Sequence, residues 1–217
     1  MGKTLKVAHQ YSFAEELFNS ISHGVGTLLS LVGLTVLIVM AALKGADAWS
    51  IVSFSIYGGT LIFLYLSSTL YHSLTHPKAK QIFRKFDHIS IFLFIAGSYT
   101  PVTLIMMREN WGWPISVSVW VLAILGIVIT IIGIDRFQHL STALCLVMGW
   151  LIIIAIKPML ASVPPGFFPW MLTSGIFYTL GVIFFVGKKI PFNHGIWHIF
   201  VLFGSASYFI GIMKYFI

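Results

Sequence analysis

Seven long apolar stretches dominate the sequence, and each can cross the hydrocarbon core of a membrane, which needs about 20 mostly apolar residues per helix. They cover approximately residues 21–43, 50–71, 87–107, 114–134, 139–157, 167–187 and 194–214. The connections between them are too short for a soluble domain. We therefore predict an all-α, polytopic membrane protein, with a seven-helix bundle over residues 21–217. The preceding segment, residues 1–20, is compatible with either an interfacial helix or a solvated leader.

The composition agrees with a membrane protein. Of 217 residues, 58% are hydrophobic and 9% are charged, whereas about a quarter of the residues of a soluble domain are charged. This excludes a soluble enzyme and a disordered chain, and a single cysteine, Cys145, excludes an internal disulfide framework. The net charge of +7 comes without a basic run or a basic–aromatic stripe, so we expect no nucleic-acid partner. Membrane lipids are the expected partners.

The distribution of Lys and Arg predicts an orientation. With the N-terminus in the cytoplasm, the inner segments hold nine of these residues: Lys3, Lys6, Lys78, Lys80, Arg84, Lys85, Arg136, Lys188 and Lys189. The outer segments hold four: Lys44, Arg108, Lys157 and Lys214. Because basic residues are enriched in cytoplasmic loops, we predict an inner-membrane protein with a cytoplasmic N-terminus and an external C-terminus.

Ionisable residues lie at matching ends of several predicted helices. In the predicted topology, six of them share one depth near the cytoplasmic face: His23, His72, Asp87, His88, His194 and His198. Such residues are costly within a membrane and usually mark a functional site. Any single histidine here could instead lie at the lipid–water boundary, but the combined pattern of histidine and aspartate is typical of a metal site.

The spacing of the histidines favours zinc. His194 and His198 are four residues apart and face the same side of a helix, so both imidazoles can bind one Zn²⁺. No Glu separates them, and His72 is the best-placed third ligand. Three imidazoles and an open fourth position form the ligand set of a catalytic rather than a structural zinc.

Two further residues complete the predicted site. Ser68 lies four residues before His72 and faces the same way, so its hydroxyl could orient a metal-bound water or a substrate carbonyl. Asp87 could accept the proton of that water as a general base. His88 is rotated by about 100° from Asp87 on a helix, and we expect it to point away from the same pocket.

Five motifs resemble those of the bacterial haemolysin III proteins, and the resemblance covers essentially the whole chain. They are residues 15–24 (EELFNSISHG), 68–72 (STLYH), 86–88 (FDH), 96–101 (AGSYTP) and 193–198 (NHGIWH). These bacterial proteins are similar to the progestin and adiponectin receptor family and, more distantly, to alkaline ceramidases. The resemblance implies seven helices with a zinc ion near the cytoplasmic face.

Carried over to this sequence, the resemblance implies that His72, His194 and His198 bind the zinc. Asp87 would bond or activate the zinc-bound water, and Ser68 would assist. For Glu16 and His23 the resemblance marks a motif without implying a role. The chain lacks the long N-terminal region of the animal receptors, which argues against a ligand-receptor role.

Three functions remain open at the level of sequence. The first is a zinc-dependent hydrolase of membrane lipids that helps to set membrane fluidity. The second is a pore-forming cytolysin, as the family name implies, although a secreted pore former must be soluble before it inserts. The third is a lipid or ligand sensor with structural zinc. A fourth protein ligand would favour the sensor, whereas an open position facing Asp87 and Ser68 would favour the enzyme. Neither the lipid nor the oligomeric state is specified.

Overall fold

The computed structural model describes residues 11–217, and all regular elements in this range are helical. The α-helices are α1 (Phe13–Leu43), α2 (Ala48–Ser73), α3 (Pro77–Pro101), α4 (Gly112–Gly133), α5 (Gln138–Gly149), α6 (Ile156–Ser162), α7 (Phe167–Val186) and α8 (Asn193–Tyr215). A π-helical segment, Val102–Met106, extends α3, and a 3₁₀ segment, Leu151–Ala155, joins α5 to α6. Lys3 and Lys6, which contribute to the predicted charge bias, lie outside the described residues.

Seven segments are long and apolar enough to cross a membrane within the described range, with α5 and α6 together forming the fifth. This confirms the predicted fold class. Large apolar side chains such as Leu28, Ile132 and Ile154 are 65%, 70% and 69% exposed on the outside of the bundle. In a bilayer these side chains contact acyl chains, so the exposed apolar surface costs nothing there.

The first helix begins earlier than predicted. It starts at Phe13 rather than at residue 21, so residues 13–20 are not a separate segment but continue into the first span. Ser12 caps the helix: its Oγ accepts a hydrogen bond from the Glu15 backbone N–H at 3.3 Å, and the Ser12 N–H donates to Glu15 Oε2 at 2.8 Å. This reciprocal capping box is a start signal that hydropathy does not register.

The third helix also begins earlier, at Pro77 rather than at residue 87. Proline suits the first turn of a helix because its missing N–H would have no partner there. The basic residues that we expected in a loop therefore lie on the first turns of α3: Lys78, Lys80, Arg84 and Lys85. A polar turn extends the helix past the hydrocarbon, where a count of apolar residues cannot detect it.

The packing of the helices determines where the predicted site forms. α1 packs against α2 and α8, α2 against α3, and α7 against α8. Helices α1, α3 and α8 begin, and α2 ends, at one end of the bundle, which we call the histidine end. Close approach of α8 to α1 there depends on Gly195, because a Cβ atom at this position would lie 2.4 Å from Phe18 Cδ1.

Candidate metal centre

Three histidines from two helices meet at the histidine end. His72 closes α2, and His194 and His198 occupy successive turns at the start of α8. One ring nitrogen of each lies within 4.8 Å of the others, and the ring centroids are 4.6–5.2 Å apart. All three are buried, with 4%, 7% and 1% of their surfaces exposed. The structure thus brings together the three residues that the sequence predicted as ligands.

The inward-facing nitrogens fit a metal ion. Nε2 of His72 and Nε2 of His194 are buried without a hydrogen-bond partner among residues 11–217. An unpartnered polar atom in a protein interior is costly, and a bound cation would compensate that cost. Three neutral imidazoles are a donor set that suits Zn²⁺, so the residues present fit this ion.

The outward-facing nitrogens have partners that orient two of the rings. His72 Nδ1 lies 2.6 Å from Glu16 Oε2. His198 Nδ1 lies 3.2 Å from the Asn19 carbonyl oxygen and 3.2 Å from Ser22 Oγ. A carbonyl oxygen only accepts, so His198 Nδ1 carries the proton and Nε2 keeps its lone pair. Partners of this kind typically hold metal-binding histidines in place.

The sequence did not assign a role to Glu16, which the structure places directly behind a predicted ligand. The sequence contained an indication of this contact, because an acidic residue such as Glu16 in the early turns of a membrane helix is costly unless it has a partner. The partner itself lies on another helix, 56 residues along the chain.

His23 lies against the ligand cluster without joining it. Its ring stacks on that of His198 with centroids 3.5 Å apart and contacts Tyr65 edge-on at 4.9 Å. The residue is 3% exposed, and neither ring nitrogen has a hydrogen-bond partner within the described chain. The atoms of His23 are not in the group that lies within 4.8 Å, in agreement with leaving it out of the predicted ligand set.

Tyr11 lies over the outer side of the cluster, a contact that the sequence did not indicate. Its ring centroid is 5.2 Å from that of His194 and 5.9 Å from that of His72. Burial raises the pKa of the Tyr11 phenol above its ordinary value, so this side chain stays neutral near the histidines.

Ser68 and Asp87 are both buried, but Ser68 is not among the residues that line the cavity beside His194 and His198. Ser68 is fully buried, and its Oγ lacks a hydrogen-bond partner in the described part of the chain. Asp87 is 7% exposed and lines a cavity together with His194 and His198. It is outside the group of mutually close ligand atoms, and its role as a base beside the metal stays a prediction.

The expectation for His88 was wrong. Its side chain lines the same cavity as Asp87, and its Nδ1 lies 3.8 Å from the Asp87 carboxylate. The same nitrogen lies 2.9 Å from the carbonyl oxygen of Arg84. A rotation of about 100° between neighbouring residues still leaves both side chains among those that line the cavity.

The cavity has a volume of about 170 Å³ and runs from the histidines into the apolar interior of the bundle. On α3 and its extension, the lining residues reach from Asp87 to Val102. Fifteen residues of helix correspond to about 22 Å. The deeper walls are mainly apolar, with residues such as Ile95, Leu146 and Val201. A lining of this kind suits an apolar ligand group.

Comparisons with known proteins agree with this architecture. Residues 11–209 match the sequence model of a family described as haemolysin-III related. The chain is 49% identical over 205 residues to a Hemolysin-3 homolog of Bacillus subtilis (strain 168), covering 94% of this chain and 96% of that protein. It is 46% identical over 201 residues to Hemolysin-3 of Bacillus cereus, covering 93% and 91%.

A more distant relative comes from animals. The Monocyte to macrophage differentiation factor of Homo sapiens is 28% identical over 181 residues, which cover 78% of this chain and 72% of that protein. The match to the family model spans nearly the whole chain, including every residue of the histidine cluster. The resemblance seen in the motifs is therefore confirmed, and this seven-helix membrane protein belongs to the haemolysin-III-related family.

Proposed function

We propose that the protein is a zinc-dependent hydrolase that acts on an amide or ester bond of a membrane lipid and so contributes to the control of membrane fluidity. One observation carries this proposal: three buried histidines form a cluster, and two of them, His194 and His198, line a cavity whose deeper walls are mainly apolar. A purely structural metal site would not need such a cavity beside it.

The residues around the cluster suit hydrolysis. Zn²⁺ held by His72, His194 and His198 would supply a Lewis acid that polarises the lipid carbonyl. Asp87 accepts the proton of the attacking water, since its carboxylate lines the cavity and is not needed as a ligand. Ser68, four residues before His72 on α2, would help to orient the water through its otherwise unpartnered hydroxyl.

The cavity provides the means of binding. Its apolar walls hold the acyl chain, and burial of each CH₂ group contributes about 0.8 kcal/mol in favour of binding from water, although much less from a bilayer. The lipid enters sideways between helices from the surrounding membrane.

Variants of Asp87 and His194 test the proposal. Asp87→Asn should abolish lipid product formation and keep the zinc, because the side chain is not a ligand, whereas His194→Ala should lose both. Ser68→Ala should keep the zinc and lower product formation. The measurements are zinc content, lipidomics of membranes from a deletion strain that carries each variant, and membrane fluidity. Glu109→Gln, which removes an exposed carboxylate elsewhere, should behave like the wild type.

Full restoration of the lipid profile and fluidity by Asp87→Asn, with zinc retained, would contradict the hydrolase. The protein would then be better described as a lipid or ligand sensor with structural zinc.

A cytolytic activity is a second candidate, because two similar Bacillus proteins carry the name Hemolysin-3. The extensive apolar outer surface of the bundle argues that such an activity would arise only after delivery of the protein in lipid. Haemoglobin release from erythrocytes exposed to vesicles that contain the protein would support it, and vesicles without the protein are the control.

A further inference from the structure

We propose that Glu16 is a positioning residue for the metal centre, and that Lys80 holds Glu16 in place. Glu16 keeps His72 in the tautomer and orientation in which Nε2 faces His194 and His198. This inference rests on the zinc site of the proposed function and adds to it the residues that prepare one ligand for binding.

The two oxygens of the Glu16 carboxylate have different partners. Oε2 lies 2.6 Å from His72 Nδ1, and Oε1 lies 2.8 Å from Lys80 Nζ. The His72 side chain is completely buried, while 19% of the Glu16 side chain and 30% of the Lys80 side chain are exposed. Hydrogen bonds to an ionised carboxylate are short and strong, so each oxygen is committed to one partner.

The contact with Glu16 selects the tautomer of His72. An ionised carboxylate only accepts hydrogen bonds, so Nδ1 of His72 must carry the ring proton. The lone pair then lies on Nε2, which is the buried nitrogen without a partner among residues 11–217. Without Glu16, the proton could move to Nε2 and the ring could rotate, and both changes would oppose metal binding.

Lys80 connects the carboxylate to a third helix. It lies on the first turns of α3, and its Nζ also lies 3.1 Å from the Tyr71 carbonyl oxygen and 3.4 Å from that of Leu74. Both carbonyls are at the end of α2, where His72 is located. Lys80 therefore anchors Glu16 from α1 beside α2, and the Glu16 carboxylate is not part of the group of mutually close ligand atoms.

The test uses the purified full-length protein in lipid nanodiscs with Zn²⁺ as the probe. Zinc affinity is measured by competition with a chelator, and the tautomer of His72 by ¹⁵N chemical shifts of labelled histidine in the metal-free protein. Glu16→Ala should weaken zinc binding by about 10- to 100-fold, the usual effect of removing a partner behind a metal ligand. It should also shift His72 toward a mixture of tautomers.

Two milder variants keep the test meaningful if Glu16→Ala folds poorly. Glu16→Gln can still accept a hydrogen bond from His72 Nδ1 but loses the charge, so its zinc affinity should lie between those of the wild type and Glu16→Ala. Lys80→Met should weaken zinc binding less than Glu16→Ala, since it removes only the anchor. Lys78→Met, which removes an exposed charge from the same helix end, is the matched control and should bind zinc like the wild type.

Two results would overturn the inference in distinguishable ways. If the wild type binds zinc and both Glu16 variants bind it equally well with an unchanged His72 tautomer, Glu16 has only a structural role. If the wild type itself binds no zinc, the metal centre of the proposed function is wrong, and the role of Glu16 is wrong with it.

Discussion

The imidazole ring of His23 lies face to face on that of His198, with centroids 3.5 Å apart and planes 8° from parallel. The lone pair of an imidazole nitrogen lies in the plane of its ring. Because the two rings are stacked and nearly parallel, the lone pairs of His23 lie in a different plane from those of His198. His23 therefore packs against the face of a predicted ligand and would be poorly oriented to hold the same metal.

This relationship predicts different effects for two histidine substitutions. His23→Phe keeps an aromatic surface against His198 and removes two buried nitrogens that have no partner in the described chain, so zinc content and thermal stability should not fall. His198→Ala should lose most of the zinc, because two imidazoles and water bind it weakly. Metal analysis of both purified variants checks this. Loss of zinc from His23→Phe, or full zinc in His198→Ala, would contradict the assignment.

Gly195→Ala should weaken both the fold and the metal site. The added Cβ would lie 2.4 Å from Phe18 Cδ1 and 3.0 Å from Asn19 Oδ1, so these side chains must rearrange and we expect α1 to shift away from α8. The Asn19 carbonyl that accepts from His198 moves with α1. We expect a loss of about 1–3 kcal/mol in stability, as for other overpacked sites, together with weaker zinc binding.

Thermal unfolding and chelator competition measure these two effects. Gly59→Ala is the control, because a Cβ at that position meets no heavy atom within 4 Å. Equal zinc affinity for Gly195→Ala and Gly59→Ala would show that the approach of α1 to α8 does not control the site.

The orientation in the membrane stays a prediction. Reporter fusions after Lys189 and after Ile217 flank α8, which crosses the membrane once, so they should report opposite sides. From the charge bias we expect the first to be cytoplasmic and the second external. The placement of Lys80 and Arg84 on α3 leaves this bias intact, because the start of α3 is at the histidine end. The reverse order would contradict the orientation, and the same side for both would contradict seven spans.

The pH dependence of stability should include a contribution from Asp135, in the connection between α4 and α5. Arg84 Nη2 donates to Asp135 Oδ1 at 2.5 Å, and this hydrogen bond lowers the pKa of the Asp135 carboxyl below its ordinary value. The ionised form is thus favoured in the folded state. Its contribution is complete above the unfolded pKa of about 4 and is lost as the pH falls through the lower, folded value.

Thermal unfolding between neutral and acidic pH compares the wild type with Asp135→Asn. The Asn variant should be less stable near neutral pH, and the difference should shrink below about pH 4. Because Asp135 is 70% exposed, the effect should stay below about 1 kcal/mol. A difference that grows on acidification would mean that the ion pair does not stabilise the fold.

Hydropathy along the chain was sufficient for the number of membrane spans, because crossing a bilayer is a local requirement met by about 20 consecutive apolar residues. It placed the starts of α1 and α3 too late, since polar turns beyond the hydrocarbon do not add to an apolar count. The capping box of Ser12 and Glu15 and the proline at position 77 are local signals that could have corrected both starts.

The candidate metal centre also combines features that follow from the sequence with features that depend on how the helices pack. The pairing of His194 and His198 follows from the sequence alone, because residues four apart on one helix share a face. The sequence could nominate His72 only as a candidate, since its distance from α8 depends on how the helices pack. The contacts of Glu16, His23 and Tyr11 with the cluster were decided by the tertiary structure alone, because they join residues far apart in the chain. Because α1 packs between α2 and α8, the Glu16 carboxylate contacts His72 and the His23 ring stacks on that of His198.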